Sequence, residues 1–383
     1  MQFKLIIAIC GLSLLSCTKN YDDVIIGSGQ SALQKYNVDW DAAADSSAMS
    51  VVTLFWNVQD KYFNKNNLSN PEFHYWPQAH ALDVVLDAYQ RNPKQQYGNT
   101  IQQWLEGVRV KNGNTWLNEY YDDMEWIGLA SLRAYDITRN ATFKTVVDQL
   151  WVDIKTGWNE TMGGGISWRK AQPGYKNTPA NAPASILASR IYKQSNNPAD
   201  LEWAVKIYDW VKNNLYETGT GLVYDGINRD GNGTIDNWKF TYNQGVFIGA
   251  ALELYNITKN TVYLNDAIKA ANYTLSDNTY TNSVDRLLRD EGNGDGGLFK
   301  GIFIRYFTQL ILHPDLSEAY KKRFAAFLKH NAEWLWFNGT NKQTVLFGTY
   351  WKNKPANETD LTTQLSGAML MEAAALLNKN NLF

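Results

Sequence analysis

Arg133-Ala134-Tyr135-Asp136-Ile137-Thr138-Arg139-Asn140 returns as Glu253-Leu254-Tyr255-Asn256-Ile257-Thr258-Lys259-Asn260, and more loosely as Arg190-Ile191-Tyr192-Lys193-Gln194-Ser195-Asn196-Asn197. Each copy ends one stretch of helix-period apolar residues and begins another, so the octapeptide reads as the tight turn of a helical hairpin. Tyr89 and Tyr306 hold comparable places in two further stretches. Outward from these turns, helix-period patterns dominate from Ala43 onward and strand-like alternation is scarce. About twelve helices are expected, near 44–62, 77–92, 98–110, 118–137, 140–155, 179–194, 199–214, 241–257, 261–276, 297–312, 315–337 and 361–379.

After the first helix pair each unit has the same asymmetry. A long loop rich in Gly, Asn and aromatics leads into a helix with small residues, then the tight turn, then a more amphipathic helix. Gly128, Ala184, Gly249, Gly301 and Gly367 would let helices approach closely, as an inner layer requires. Six hairpins with their long loops on one side describe an all-α (α/α)6 toroid, with a cleft where loops and inner-helix N-termini converge. An open solenoid is the alternative. Closure is favoured because the last helix is as apolar as an inner one, where a solenoid would need a polar cap.

Residues 1–16 read as an export signal, with Lys4 ahead of an apolar run too short to span a bilayer. Leu14-Leu15-Ser16-Cys17 is similar to the lipobox of bacterial lipoproteins, which makes Cys17 the lipidated first residue of the mature chain. Residues 17–42 would then be anchor and tether, and 43–383 one catalytic domain. The expected location is the outer membrane, held through the lipid alone. With Cys10 removed and Cys17 acylated, no thiol remains for disulfides or metal binding. The 36 basic and 38 acidic residues nearly cancel, which gives no electrostatic footprint for nucleic acid. A neutral glycan fits this balance, and a monomer is expected.

The chemistry is concentrated in Tyr121-Asp122-Asp123-Met124-Glu125-Trp126. Rings stack on the C–H face of a sugar while paired carboxyls act as acid, base or nucleophile. The chain also holds 15 Trp and 22 Tyr against four His, more rings than a core demands on loops such as those of Trp168 and Trp238. Loops and inner-helix N-termini gather a rim of Trp76, Gln78, His80, Asp122, Asp123, Trp126, Trp168, Asn177, Asn181, Tyr242, Asn243, Gln244, Asp295, Lys300 and Arg305. On the repeat, Asp122 and Asp123 fall where another unit has Tyr242 and Asn243. Against a catalytic role, neighbours on a regular helix diverge by about 100°, and two acids can simply complement a helix dipole. The pairing therefore calls for irregular backbone or for one acid reaching around.

Asn228-Arg229-Asp230-Gly231-Asn232-Gly233-Thr234-Ile235-Asp236 begins like a calcium loop, yet Lys239 stands where a bidentate Glu is required, so a polar turn is expected. His74, His80, His313 and His330 have no metal-ligand spacing. No metal and no cofactor are expected.

In order along the chain, Trp76-Pro77-Gln78-Ala79-His80, Tyr121-Asp122-Asp123-Met124-Glu125-Trp126, Gly163-Gly164-Gly165-Ile166-Ser167-Trp168, Asn177-Thr178-Pro179-Ala180-Asn181-Ala182-Pro183-Ala184, Tyr242-Asn243-Gln244-Gly245 and Phe299-Lys300-Gly301-Ile302-Phe303-Ile304-Arg305-Tyr306 give a sequence that resembles glycoside hydrolase family 76, the bacterial endo-α-1,6-mannanases. The resemblance covers about residues 43–380. It implies retaining, endo-acting hydrolysis of α-1,6-mannosidic linkages in mannan, with Asp122 as nucleophile and Asp123 as acid/base. It also implies sugar contacts from Trp76, Gln78, His80, Trp126, Trp168, Asn181, Tyr242, Asn243, Gln244, Lys300 and Arg305. One departure is Ser167, where a second aromatic would precede Trp168. The rival readings are a surface glycan-binding lipoprotein without hydrolysis, or another (α/α)6 enzyme such as an uronyl hydrolase or sugar epimerase.

Overall fold

The computed structural model describes residues 38–383; the signal segment, Cys17 and most of the tether lie outside them. Among the described residues the helices are α1 (Trp40–Leu54), α2 (Tyr75–Arg91), α3 (Gln95–Lys111), α4 (Tyr121–Thr138), α5 (Ala141–Lys155), α6 (Ala182–Ser195), α7 (Pro198–Asn214), α8 (Thr241–Thr258), α9 (Thr261–Ser276), α10 (Gly296–Ile311), α11 (Glu318–Trp334) and α12 (Leu361–Lys379). Helix α1 starts at Trp40, capped by the Asp39 carboxylate on the Ala42 amide, inside the stretch expected to be tether. It ends at Leu54, short of the expected 62, because Trp56–Asn57 and Tyr62–Phe63 form a small antiparallel hairpin (β1, β2).

The repeated octapeptide is a one-residue hinge between helices. Arg139, Asn196 and Lys259 adopt left-handed backbone (φ 59°, 54° and 56°), and their amides close on the carbonyls of Tyr135, Tyr192 and Tyr255. The next residue, Asn140, Asn197 or Asn260, caps the following helix through its side chain. Stopping one helix and starting the next within two residues forces the pair antiparallel, which is why α4–α5, α6–α7 and α8–α9 are hairpins.

Helices α2, α4, α6, α8, α10 and α12 form an inner ring, each packed on the next, and α12 returns to α2. The outer helices back them, and α1 lies on α12, so the (α/α)6 toroid is closed by the two ends of the chain. Arg91 of α2 reaches both Glu372 oxygens on α12 at 2.9 Å, and Trp40 meets Phe383 edge-on at 5.6 Å. Close approach inside the ring needs glycine: a Cβ on Gly301 would lie 2.7 Å from the Ser366 Cα, and one on Gly245 2.6 Å from the Phe303 Cα.

The loops carry more strand than the sequence pattern indicates. Ser167–Arg169 (β3), Gln172–Asn177 (β4), Gly226–Ile227 (β5) and Ile235–Asp236 (β6) form a four-stranded antiparallel sheet in the order β3-β4-β5-β6, and Thr340–Asn341 (β7) pairs with Leu346–Phe347 (β8). These strands are too short for alternation to register. The calcium-like loop is the β5–β6 turn: the Asn228 side-chain Oδ1 accepts from the Gly233 amide and Arg229 pairs with Asp236 at 2.6 Å.

Candidate active site

Asp122 and Asp123 occupy the first turn of α4, on regular helix that begins at Tyr121 after the extended Tyr120. The backbone is not distorted there. The two side chains diverge, and their surroundings differ accordingly. The Asp122 carboxylate accepts from the Trp168 indole (Nε1–Oδ2 3.2 Å) and from the Asp123 amide (3.1 Å). No hydrogen bond reaches the Asp123 carboxyl among the described residues; its charged neighbours are Asp122 and Asp295. Both are half-buried. Burial pushes Asp122 up to about 7, with the two donors and a nearby Asp225 acting against and with that rise. Asp123 is pushed well above the usual carboxylate range by burial and then by the Asp122 charge. Asp122 is therefore the member of the pair that ionises more readily.

Strand β3 places Trp168 against this turn, with Tyr120 tilted on its ring at 5.1 Å and Tyr175 edge-on at 5.8 Å. Ser167 points the other way. Its buried hydroxyl accepts from Lys176 at 3.1 Å and Asn159 at 3.0 Å, and meets the carbonyls of Gly157 and Pro173. The small residue thus serves a polar knot behind the sheet, so an aromatic at this position would not face the cleft.

On the Asp122 flank Asp225 is buried under three donors: Asn243 Nδ2 at 3.1 Å, Tyr175 OH at 3.2 Å and Tyr242 OH at 3.3 Å. Burial raises its pKa in spite of them and of Arg229 beside it. Sequence reasoning missed Asp225 and Tyr175, since nothing in Val223-Tyr224-Asp225-Gly226 separates a site carboxylate from a turn aspartate. On the other flank the Trp76 indole donates to Asp295 at 3.0 Å, with the His74 imidazole 3.6 Å away.

Trp168, Tyr242, Asn243 and Trp76 are thus gathered around the acids, and others on the expected rim are not. Gln78 donates to the Phe63 carbonyl and accepts from the Phe63 amide, at 2.9 and 2.8 Å. Asn181 makes the same pair with Ile166 at 2.9 and 2.7 Å, and Gln244 binds Val223, Gly221 and Ala270. Asn177 caps the turn at Ala180. These amides latch each hairpin to the helix behind it, so their polar atoms are already satisfied by backbone. Lys300 is buried against the Thr349 carbonyl at 2.7 Å and the Trp351 ring.

Arg305 sits nine residues into α10, about 14 Å along the axis from its start, and pairs with Asp87 at 2.8 Å. It lines a cavity of about 700 Å³ at the opposite mouth of the ring, among the C-terminal halves of the inner helices. His80 and Trp126 form the partition beneath the carboxylates. The His80 ring is 5.4 Å from Trp76 and 4.8 Å from Trp126, neither nitrogen has a hydrogen-bond partner among the described residues, and burial drives its pKa down to about 3. Both side chains belong to the interior. Glu125 lies there too, wholly buried, with neither oxygen in a well-formed hydrogen bond although the Ala184 amide is close enough to favour its charge. Burial outweighs that help and pushes its pKa well up.

Residues 39–382 match the family described as Glycosyl hydrolase family 76. The chain is also similar to the solved structure of the GH76A α-1,6-mannanase from Salegentibacter sp. HEL1_6, with 43% identity and a TM-score of 0.86 over 88% of this chain and 100% of that one. A variant of that enzyme with two adjacent aspartates changed to alanine is described as inactive and was solved with α-1,6-mannotetrose (42% identity, TM-score 0.86, 89% of this chain and 100% of that one). Among curated relatives, mannan endo-1,6-alpha-mannosidase DCW1 of Candida glabrata is 25% identical over 218 residues, 52% of this chain and 49% of that protein. By that match the chain spans about half the length of the curated relative.

Proposed function

The chain belongs to glycosyl hydrolase family 76, and on that premise we propose that it hydrolyses α-1,6-mannosidic linkages within mannan chains, with retention of configuration. The observation that carries the mechanism is the unequal solvation of two adjacent acids. Asp122 holds two hydrogen bonds to its charged form, whereas Asp123 has none among the described residues and faces the Asp122 charge. Asp122 is then the nucleophile, attacking the anomeric carbon to give a glycosyl-enzyme. Asp123 protonates the departing glycosidic oxygen and afterwards takes a proton from the water that releases the sugar. On this reading Asp225, on the Asp122 flank, accepts from hydroxyls of the reacting mannose, and Asn243 behind it holds the carboxylate at 3.1 Å.

Linear α-1,6-mannan and NMR of the first products test this reading. Oligosaccharides of mixed length appearing first as the α anomer are expected. An initial β anomer would exclude retention, and mannose as sole product would exclude endo action. Asp122→Ala and Asp123→Ala should each remove turnover of mannan with folding intact; on an activated substrate azide should rescue Asp122→Ala as the β-glycosyl azide, whereas azide attack on the glycosyl-enzyme of Asp123→Ala should give the α-glycosyl azide.

We also infer from Leu14-Leu15-Ser16-Cys17 that the protein is exported and acylated at Cys17. Cys17→Ser should move it from the membrane fraction to the soluble one, and an unmodified mature N-terminus downstream of Cys17 would refute the anchor.

A further inference from the structure

A run of aromatic rings leaves the carboxylate cluster and ends at an exposed indole. Tyr242, its hydroxyl on Asp225, stacks on Phe299 with centroids 4.0 Å apart and planes at 6°. Phe240 tilts onto both, at 5.9 and 5.1 Å, and Trp238 meets Phe240 edge-on at 6.1 Å. Trp238 is 51% exposed. It is nevertheless held in place, because the Arg229 guanidinium covers one face at 4.4 Å from the ring centroid. Arg229 is itself fixed between that indole and the Tyr175 ring at 4.3 Å, with Asp236 at 2.6 Å and Asp225 at 3.3 Å as its carboxylate partners. One face of Trp238 is therefore backed and immobilised while much of its surface remains in water, an arrangement that suits stacking on the C–H face of a pyranose.

We propose that Trp238 is a stacking platform for a mannosyl unit on the glycone side of the cleft, beyond the unit that reacts. This rests on the mannanase reading with Asp122 as nucleophile and Asp123 as acid. The side follows from the two flanks. Tyr242 and Asp225 neighbour Asp122, the group that bonds the anomeric carbon, whereas Asp295 and Trp76 neighbour Asp123, the group that protonates the leaving oxygen. A chain extending from the reacting mannose along the Tyr242–Phe240 wall meets Trp238 with its non-reducing portion. The occupant is the α-1,6-mannan chain itself, because the rings are continuous with the catalytic cleft.

Aryl α-glycosides carrying one to four α-1,6-linked mannosyl units isolate this side, since the aryl group occupies the Asp123 flank in every one of them. In the wild-type enzyme kcat/KM rises with glycone length. In Trp238→Ala the ratio of the longest to the shortest substrate falls about tenfold, and Trp238→Phe recovers most of it. An unaltered ratio in Trp238→Ala, or an equal fall at every length, overturns the proposal while leaving the mannanase reading intact. Failure of the wild-type protein to cleave any of the series, or mannan, overturns that reading instead. Thermal melting of both variants, near wild type for a half-exposed side chain, shows that the ratio is read on folded protein.

Discussion

The Trp168 indole donates a hydrogen bond to Asp122 Oδ2 at 3.2 Å across 46 residues of sequence. That bond favours the carboxylate form, and burial opposes it. Trp168→Phe keeps a ring and removes the donor, so the pKa of Asp122 rises further above about 7. A nucleophile must be ionised. The acidic limb of the kcat/KM profile should therefore move up by about one pH unit, the scale of a hydrogen bond to a charged group. A pH–rate profile on mannan measures it.

Glu125→Gln addresses stability. A carboxyl whose folded pKa is raised contributes stability below its unfolded value, near 4.5, and loses that contribution as pH rises toward the folded value. Wild-type protein should thus lose stability from about pH 4.5 upward. Replacing the buried acid by its neutral isostere should narrow the difference in stability between pH 5 and pH 8 in urea unfolding. Asp122 and Asp123, also raised, leave a residual slope.

Gln244→Ala strips partners from the Val223 amide and from the Gly221 and Ala270 carbonyls together. A loss of about 2–4 kcal/mol follows from leaving these groups unpaired. KM of the protein that remains folded should change little. Calorimetry alongside kinetics separates the latch from a sugar contact, for which KM would rise and the melting temperature would hold.

Trp126→Ala should behave as a core truncation. The side chain is buried beside His80, so a cost of about 3–5 kcal/mol is expected in thermal or urea unfolding.

The turn octapeptides and the twelve helices were legible because each turn depends on local rules: a left-handed residue, then an Asn cap. The positions of Asp122 and Asp123 were legible because they differ from their counterparts in the other units. That contrast also explains why Gln78, Asn181 and Gln244 were expected on the rim although their side chains bind backbone. An amide recurs at nearly the same place in Gln364, which binds Phe347 and Val345. Recurrence of this kind marks a joint that every hairpin needs, whereas chemistry needs a residue only once. Asp225 stayed hidden because its partners Tyr175 and Asn243 come from a strand and a helix 50 and 18 residues away. Lys300 and Arg305 lie on the inner helix α10, but α10 runs the depth of the ring, and sequence pattern alone does not say which mouth a side chain reaches.

The seam between α1 and α12 makes the first and last helices of the domain neighbours. During synthesis α1, with its buried Ala44 and Val51, can meet α2 early, but it lacks α12, its main partner, until residues 361–379 have been made. Contacts of such long sequence separation form slowly, and until they form the exposed surface is prone to aggregation. The catalytic turn at Asp122 is complete in sequence far earlier, but its place in a closed ring waits on the final helix. A nascent chain thus carries its chemistry long before it can use it, and a cut near either end would act on the whole ring at once.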